Sequence, residues 1–340
     1  MRLLPTHPRG DAAPARFQVL LCENRSPVYC GHRVASTLAW SGTGDGMSLV
    51  TPLDGELRSL AAKKVTPPSL IARKESGHRI TALTAYDYGT ARLIDEAGID
   101  CILVGDSLGM VVLGYEDTLS VTIEDMLHHA RAVRRGVRRA LLVVDMPFGS
   151  YHVSTEDTLR NGIRLLKEAG AEAVKVEGGM DQVENVRALT AAQIPVFGHI
   201  GLTPQSVLRT GGYRVQGRSH AAALALREDA LALQEAGAVA VVLEGIPREV
   251  AASITARLRI PTIGIGAGPD CDGQILVFQD LADLSFRPSP KFVRVFSPAR
   301  TLLRAGLEEF RVAVENGTFP ADSESYHMPS GVPVDVLTSL

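Results

Sequence analysis

From Thr66 onward, short apolar runs alternate with amphipathic stretches. Seven runs predict strands: Ile80–Asp87, Cys101–Asp106, Ala140–Phe148, Ala173–Glu177, Pro195–Gly201, Ala238–Glu244 and Pro261–Gly266. Each is rich in Val, Ile, Leu or Ala and runs out into Gly, Asp, Glu or Pro. That is the pattern of parallel strands buried on both faces. Between them, Tyr88–Ala97, Ile123–Arg135, Thr155–Ala169, Met180–Thr190 and Ser219–Ala236 carry helical periodicity. Gly98, Gly136, Gly170 and Gly237 follow four of these stretches, where a glycine stops a helix.

One phrase recurs. DEAGIDCILVGD, KEAGAEAVKVEG and QEAGAVAVVLEG each carry a helix end, Ala-Gly, an apolar strand and a carboxylate. With an eighth strand in Gln274–Ala282 or Lys291–Phe296, the rhythm predicts an α/β fold, a (β/α)8 TIM barrel with an irregular N-terminal extension. A doubly wound open sheet is the alternative. Arg300–Asn316 predicts a terminal helix. The expected division is an extension over 1–46, a catalytic barrel over 47–317 and a tail over 318–340.

Composition narrows the class. The 340 residues carry 35 Lys+Arg against 38 Asp+Glu, a net charge of −3, without the basic excess that coating nucleic acid requires. Hydrophobic residues at 45% and charged ones at 21% describe a globular chain. No run of eighteen uncharged apolar residues occurs, so no membrane span and no membrane partner is expected. The four cysteines include no CxxC spacing, so they support no zinc site and predict reduced thiols in a cytoplasmic protein. Residues 1–46 differ from the rest: five arginines, no lysine, and only Asp11, Glu23 and Asp45 as acids. They fit a disordered extension, a start placed too early (Met47 opens ordinary sequence), or a mitochondrial transit peptide that Pro5, Pro8, Pro14 and Pro27 weaken.

Candidate chemistry lies at the strand ends. Asp106, Asp145, Glu177 and Glu244 fall at or near the C-terminal ends of four predicted strands, and in a barrel those ends share the face where active sites form. Four acids in one cleft need a positive partner. Lys175, two residues before Glu177 and so on its face, is one; a divalent cation is the other. An all-oxygen ligand set favours Mg²⁺ over Zn²⁺. The bland reading of each acid is a cap on the following helix. Ser107 would offer its hydroxyl or N–H to a substrate carboxylate, or cap a helix. His199 would bond a substrate or a catalytic group, or be satisfied inside the barrel top. His128 and His129 fall on a helix as structural or surface groups. The nearby arginines from Arg131 to Arg139 make a solvated face or a subunit contact. The run Gly264–Gly268 lacks the full GxGxxG spacing, which argues against a nicotinamide dehydrogenase.

The phrases TAYDY (84–88), VGDSLGM (104–110), DMPFGSY (145–151), VKVEGG (174–179), GHIGLTPQS (198–206), GGYRVQGR (211–218), VVLEGIP (241–247) and IGIGAGPDCDGQILV (263–277) are found in order. Together they resemble the ketopantoate hydroxymethyltransferase family, from about Met47 to His327. The resemblance implies a TIM barrel, Mg²⁺, and 5,10-methylenetetrahydrofolate as one-carbon donor to 3-methyl-2-oxobutanoate. It implies Asp106 and Asp145 as metal carboxylates beside the substrate, and Glu177 as a further ligand or neighbouring acid. Ser107 and Lys175 would hold the 2-oxo acid, and Glu244 would accept the C3 proton. It also implies a large homo-oligomer, such as a decamer of two stacked rings. One departure is visible: where the family has His-Asp after its ILVF phrase, this chain has Gln279-Asp280. The rivals are a Mg²⁺-dependent 2-oxo acid lyase or mutase of the isocitrate lyase type, which would need a loop nucleophile or acid such as Cys271, and a barrel that only binds.

Overall fold

The structure, a computed structural model, describes residues 63–331. Eight parallel strands close into a barrel in chain order. They are β1 (Ile80–Thr84), β2 (Cys101–Val104), β3 (Leu141–Asp145), β4 (Ala173–Glu177), β5 (Val196–Gly201), β6 (Ala240–Glu244), β7 (Thr262–Ile265) and β8 (Gly273–Leu276). The TIM barrel expected from the rhythm is the fold. β8 takes the first of its two candidate positions, beginning one residue before it; Lys291–Phe296 forms no strand. The extension over 1–46 lies outside the described residues.

Two apolar layers hold the barrel. Inside it, Ile80, Ala82, Leu103, Val143, Phe197, Val242, Ile263 and Ile275 pack together with Val65 and Leu70. The latter two plug the floor from the segment before β1. A larger layer, including Ile102, Leu142, Val174, Val241 and Leu243, faces the surrounding helices. The alternation along each strand explains both: odd and even positions serve opposite faces.

Local sequence sets the helix starts. Thr122 and Asp125 form a reciprocal capping box for Ile123–Gly136, Ser154 caps Thr155–Ala169 and Ser219 caps His220–Glu235. Two helices of eight or more residues had no predicted counterpart. Pro67–Glu75 covers the barrel floor, with prolines in its first turn and Arg73 and Lys74 in its last. Arg248–Thr255 follows β6. Between β7 and β8 the expected repeat fails, because residues 266–272 return to the floor without a helix. Gly266, at a φ of 62°, makes the turn that starts this return, consistent with a structural use of the glycine run.

The terminal helix Ala299–Glu315 has no buried residue and exposes Leu302, Leu303, Leu307 and Phe310. Among the described residues, no helix is long and apolar enough to cross a membrane. Cys101 and Cys271 are buried and unpaired with each other. The arginine run forms ion pairs, Arg131 with Glu168 and Arg139 with Asp100, and His129 Nδ1 lies 2.7 Å from the Tyr86 carbonyl.

Candidate active site

Strand register builds the site. Asp145 is opposite Lys175 across β3–β4, Glu177 opposite His199 across β4–β5, and Gly201 opposite Glu244 across β5–β6. Lys175 and Glu177, two apart, project from the same strand face. The chain leaves β2 through Gly105, where a Cβ would come 2.9 Å from Ser107 Oγ and 3.4 Å from Asp145 Oδ2. This close approach lets the Asp106 N–H donate to Asp145 Oδ2 at 3.0 Å. All seven residues singled out from sequence, Asp106, Ser107, Asp145, Lys175, Glu177, His199 and Glu244, line one cavity of about 970 Å³ at the barrel mouth.

Inside it, four carboxylates face two cationic side chains. Lys175 Nζ is 3.1 Å from Asp145 Oδ1 and 3.7 Å from Glu177 Oε1. His199 lies between two acids, with Nδ1 at 3.3 Å from Glu177 Oε1 and Nε2 at 3.2 Å from Glu244 Oε2. Several of these approaches are ion pairs off the hydrogen-bonding line. Asp145 Oδ1, Glu177 Oε1 and His199 Nε2 are buried without a hydrogen-bond partner. Buried polar atoms are rarely left so, and those that are mark strain, a function or a missing ligand.

The charges respond to this crowding. Burial, then the charges of Asp145 and Glu177, hold the Asp106 carboxyl well above the usual carboxylate range. Asp145 is also raised, burial and Glu177 outweighing Lys175. Burial pushes Glu177 upward too, but His199, Lys175 and the Gln205 N–H bring it below its usual value. Burial and Lys175 lower the His199 imidazole, yet Glu177 and Glu244 lift it to about 9. His199 Nδ1 is also 3.1 Å from Lys175 Nζ. The lysine can donate to it only when it carries no proton, so at neutral pH the protonated ring serves the two glutamates and Lys175 turns to Asp145.

The donor set suits a hard divalent cation. Its atoms are carboxylate oxygens, two of them, Asp145 Oδ1 and Glu177 Oε1, buried without a hydrogen-bond partner, and the four acids outnumber the two cationic side chains. Among the described residues no group of three or more His, Cys, Asp or Glu side chains is arranged to hold a metal ion by itself. Mg²⁺ fits that pattern: it is commonly held by one or two carboxylates, with water and substrate oxygens completing its octahedron. Asp106 and Asp145 are the pair that would hold it. Glu177 lines the same cavity near Lys175, His199 and Gln205 with its Oε1 unpartnered, so it could serve as a further ligand or as a neighbouring acid.

Ser107 is not a side-chain cap; its hydroxyl lies 2.9 Å from the Tyr86 hydroxyl and faces the cavity. Gln279 lies outside the lining, and Asp280 is part of it. Cys271 is buried on the floor side, its thiol pushed up by burial, away from the mouth where a nucleophile would be needed. Sequence reasoning assigned no role to Gln205 or Tyr151. Gln205 Nε2 donates to Asp106 Oδ2 at 2.8 Å and its backbone N–H donates to Glu177 Oε2 at 3.0 Å. Tyr151 OH is 2.6 Å from Gln205 Oε1. Both lie in quoted phrases, but a neutral amide in a loop carries no signal of its own.

Known proteins bear on this geometry. The family model for ketopantoate hydroxymethyltransferase matches residues 64–322. A protein of Koribacter versatilis named 3-methyl-2-oxobutanoate hydroxymethyltransferase is 56% identical over 83% of this chain and 94% of its own. A protein of Pelobacter propionicus with the same name is 54% identical over 78% of this chain and 98% of its own. Among solved structures, a phosphonopyruvate hydrolase in complex with oxalate and Mg²⁺ aligns at a TM-score of 0.50 and 18% identity, over 81% of this chain and 95% of that one. A phosphoenolpyruvate phosphomutase of Streptomyces platensis aligns at a TM-score of 0.51 and 15% identity, over 81% and 94%. At such identity the last two share the fold.

Proposed function

The chain belongs to the ketopantoate hydroxymethyltransferase family, and on that premise we propose how its barrel mouth forms ketopantoate from 3-methyl-2-oxobutanoate, a step of pantothenate biosynthesis. The observation that carries the reading is the convergence of four strand-end acids, Lys175 and His199 in one cavity. The one-carbon unit comes from 5,10-methylenetetrahydrofolate, and water supplies the hydroxyl oxygen. A cavity of about 970 Å³ lies at the upper end of the range for drug-sized ligands and has room for both substrates.

The acceptor must lose the proton on C3, beside its ketone. Glu244, at the end of β6 and facing the cavity, takes that proton. The C–H electron pair becomes the C2–C3 double bond of an enolate and then the new bond to the methylene carbon; both C–N bonds of that carbon break, water forms its C–O bond, and the C3 proton and one water proton end on the two nitrogens of the tetrahydrofolate released. Asp106 and Asp145 would hold Mg²⁺, which when bound would supply Lewis-acid stabilisation of the keto oxygen as it gains charge. Lys175 adds a fixed positive charge close by, and Ser107 offers its hydroxyl to the substrate carboxylate. His199, cationic at neutral pH, orients Glu244 through the 3.2 Å contact.

The lyase or mutase reading has less support, since the one cysteine it would recruit is on the floor side. A homo-oligomer is supported by the exposed apolar face of Ala299–Glu315. The reported relatives are bacterial, which favours a cytoplasmic location and gives the mitochondrial alternative no support. Purified protein given 3-methyl-2-oxobutanoate, methylenetetrahydrofolate and Mg²⁺ is expected to yield ketopantoate. A folded protein that yields none overturns the reading.

A further inference from the structure

We infer that Gln205 is a positioning residue that fixes Asp106 for cation binding, and that Tyr151 locks the Gln205 amide in the one orientation able to do so. The inference rests on the Mg²⁺ reading above.

The hydrogen bonds favour one orientation of the amide. Gln205 is buried, and its NH₂ donates to Asp106 Oδ2 at 2.8 Å and to the Met146 carbonyl at 3.0 Å. Its Oε1 accepts from the Tyr151 hydroxyl at 2.6 Å. That hydroxyl also accepts the Glu177 N–H at 3.3 Å and lies 3.3 Å from the Glu177 carbonyl, so the much shorter contact to Gln205 Oε1 is the one that takes its proton. Turning the amide over would set Oε1 against a carboxylate and a carbonyl, two acceptor–acceptor contacts in a buried space where unmade bonds are costly. With Oδ2 pinned, the Asp106 carboxylate cannot rotate, and Asp106 Oδ1 has no hydrogen-bond partner among the described residues. One oxygen is tethered and the other is free, as a ligand requires.

The same residue reaches a second acid. Its backbone N–H bonds Glu177 Oε2. A single loop position after β5 thus reaches an acid from β4 and the acid that follows β2. Gln205 and Tyr151 also line a second cavity of about 550 Å³ that shares Glu177 with the first. A replacement must keep side-chain volume there, or water reaches Asp106 from behind. Gln205→Met keeps the volume and the backbone N–H, and deletes only the amide.

Partners that orient metal ligands typically cost about 10–100-fold in metal affinity when removed. Calorimetric titration of EDTA-treated protein with Mg²⁺ alone is expected to show that loss for Gln205→Met, and a smaller one for Tyr151→Phe, which frees the amide to turn. Saturating Mg²⁺ should return most of kcat to Gln205→Met, because the loss is in binding. In an Asp106→Asn background, Gln205→Met should add nothing. A Mg²⁺ dissociation constant in folded Gln205→Met equal to the parent's, or an additive loss in that background, would overturn the inference. If Gln205→Met does not fold, Tyr151→Phe decides, and an unchanged titration rejects the lock. A parent protein that binds no Mg²⁺ removes the cation reading itself; a parent that binds while both variants match it removes only this inference.

Discussion

At the floor of the barrel, Asp100 precedes β2 and accepts from Arg73, Arg139, and both the N–H and hydroxyl of Thr81, at 2.8–3.2 Å. Asp95 accepts three consecutive backbone N–H groups, Arg138 to Ala140. At the mouth, Asp145 and Glu177 are equally buried, yet each keeps an oxygen without a hydrogen-bond partner. Both ends bury acids near cations, so burial and charge do not distinguish them. Completeness does. A carboxylate whose oxygens are all used has nothing left for a ligand and serves the fold; one with a free oxygen costs stability and is available for chemistry.

The sharpest break between the two ends should come from Glu244→Gln. A general base contributes about 10²–10⁴-fold, so ketopantoate formation should fall by that factor while the unfolding midpoint stays with the parent. C3 exchange of the acceptor in deuterated water, followed by NMR, reads the base alone. Exchange at the parent rate would remove Glu244 from the role.

Asp100→Ala should do the reverse. It leaves two arginines with a lost buried partner, a change that costs about 3–5 kcal/mol. Urea unfolding should show that loss, with kcat per folded molecule unchanged. A loss below about 1 kcal/mol would mean that the complete shell at the floor is not what makes it a structural site.

Asp145→Asn should separate the two kinds of acid in one measurement. An acid raised in the folded state loses stability as the pH climbs through its raised pKa, because the fold disfavours its ionised form. Removing that charge should make the metal-free protein more stable at neutral pH. The same variant should lose the stabilisation that Mg²⁺ gives the parent, about 2.7 kcal/mol at a hundredfold excess over Kd. A metal-free variant less stable than the parent would assign Asp145 to the fold, with the floor acids.

His199 gives the mouth its own pH signature. Its folded pKa, lifted from 6.5 to about 9, means a contribution fully present below pH 6.5 and lost as the pH rises through 9. The melting temperature of the metal-free protein should fall across that window, and His199→Gln should remove its part of the fall. A parental slope in His199→Gln would place the titration elsewhere.

Much of this was legible in the chain. Parallel strands buried on both faces give apolar runs, and the strand-end acids follow from those runs, so seven strands and all seven candidate residues could be located before any coordinates. What escaped has physical reasons. Pro67–Glu75 buries only Leu70 and so leaves almost no apolar stripe. β8 is four residues long with Gly273 in it, and no helix separates it from β7. Gln205 is invisible because its importance lies in three hydrogen bonds to residues 54, 59 and 99 positions away.

The smallest effect tests whether completeness or mere proximity rules at the floor. Lys64 Nζ lies 2.5 Å from Glu172 Oε2, as short a pair as any quoted above, but its side chains are about a third exposed at 34% and 29%. Water can replace either partner there, and such pairs contribute about 0–1 kcal/mol. Glu172 also pairs with Arg134 and accepts from the Leu142 N–H, so losing the lysine leaves it served. Lys64→Met should therefore cost less than about 1 kcal/mol in urea unfolding, several times less than Asp100→Ala. Equal costs would mean that distance alone ranks these ion pairs, and the contrast drawn between floor and mouth would lose its basis.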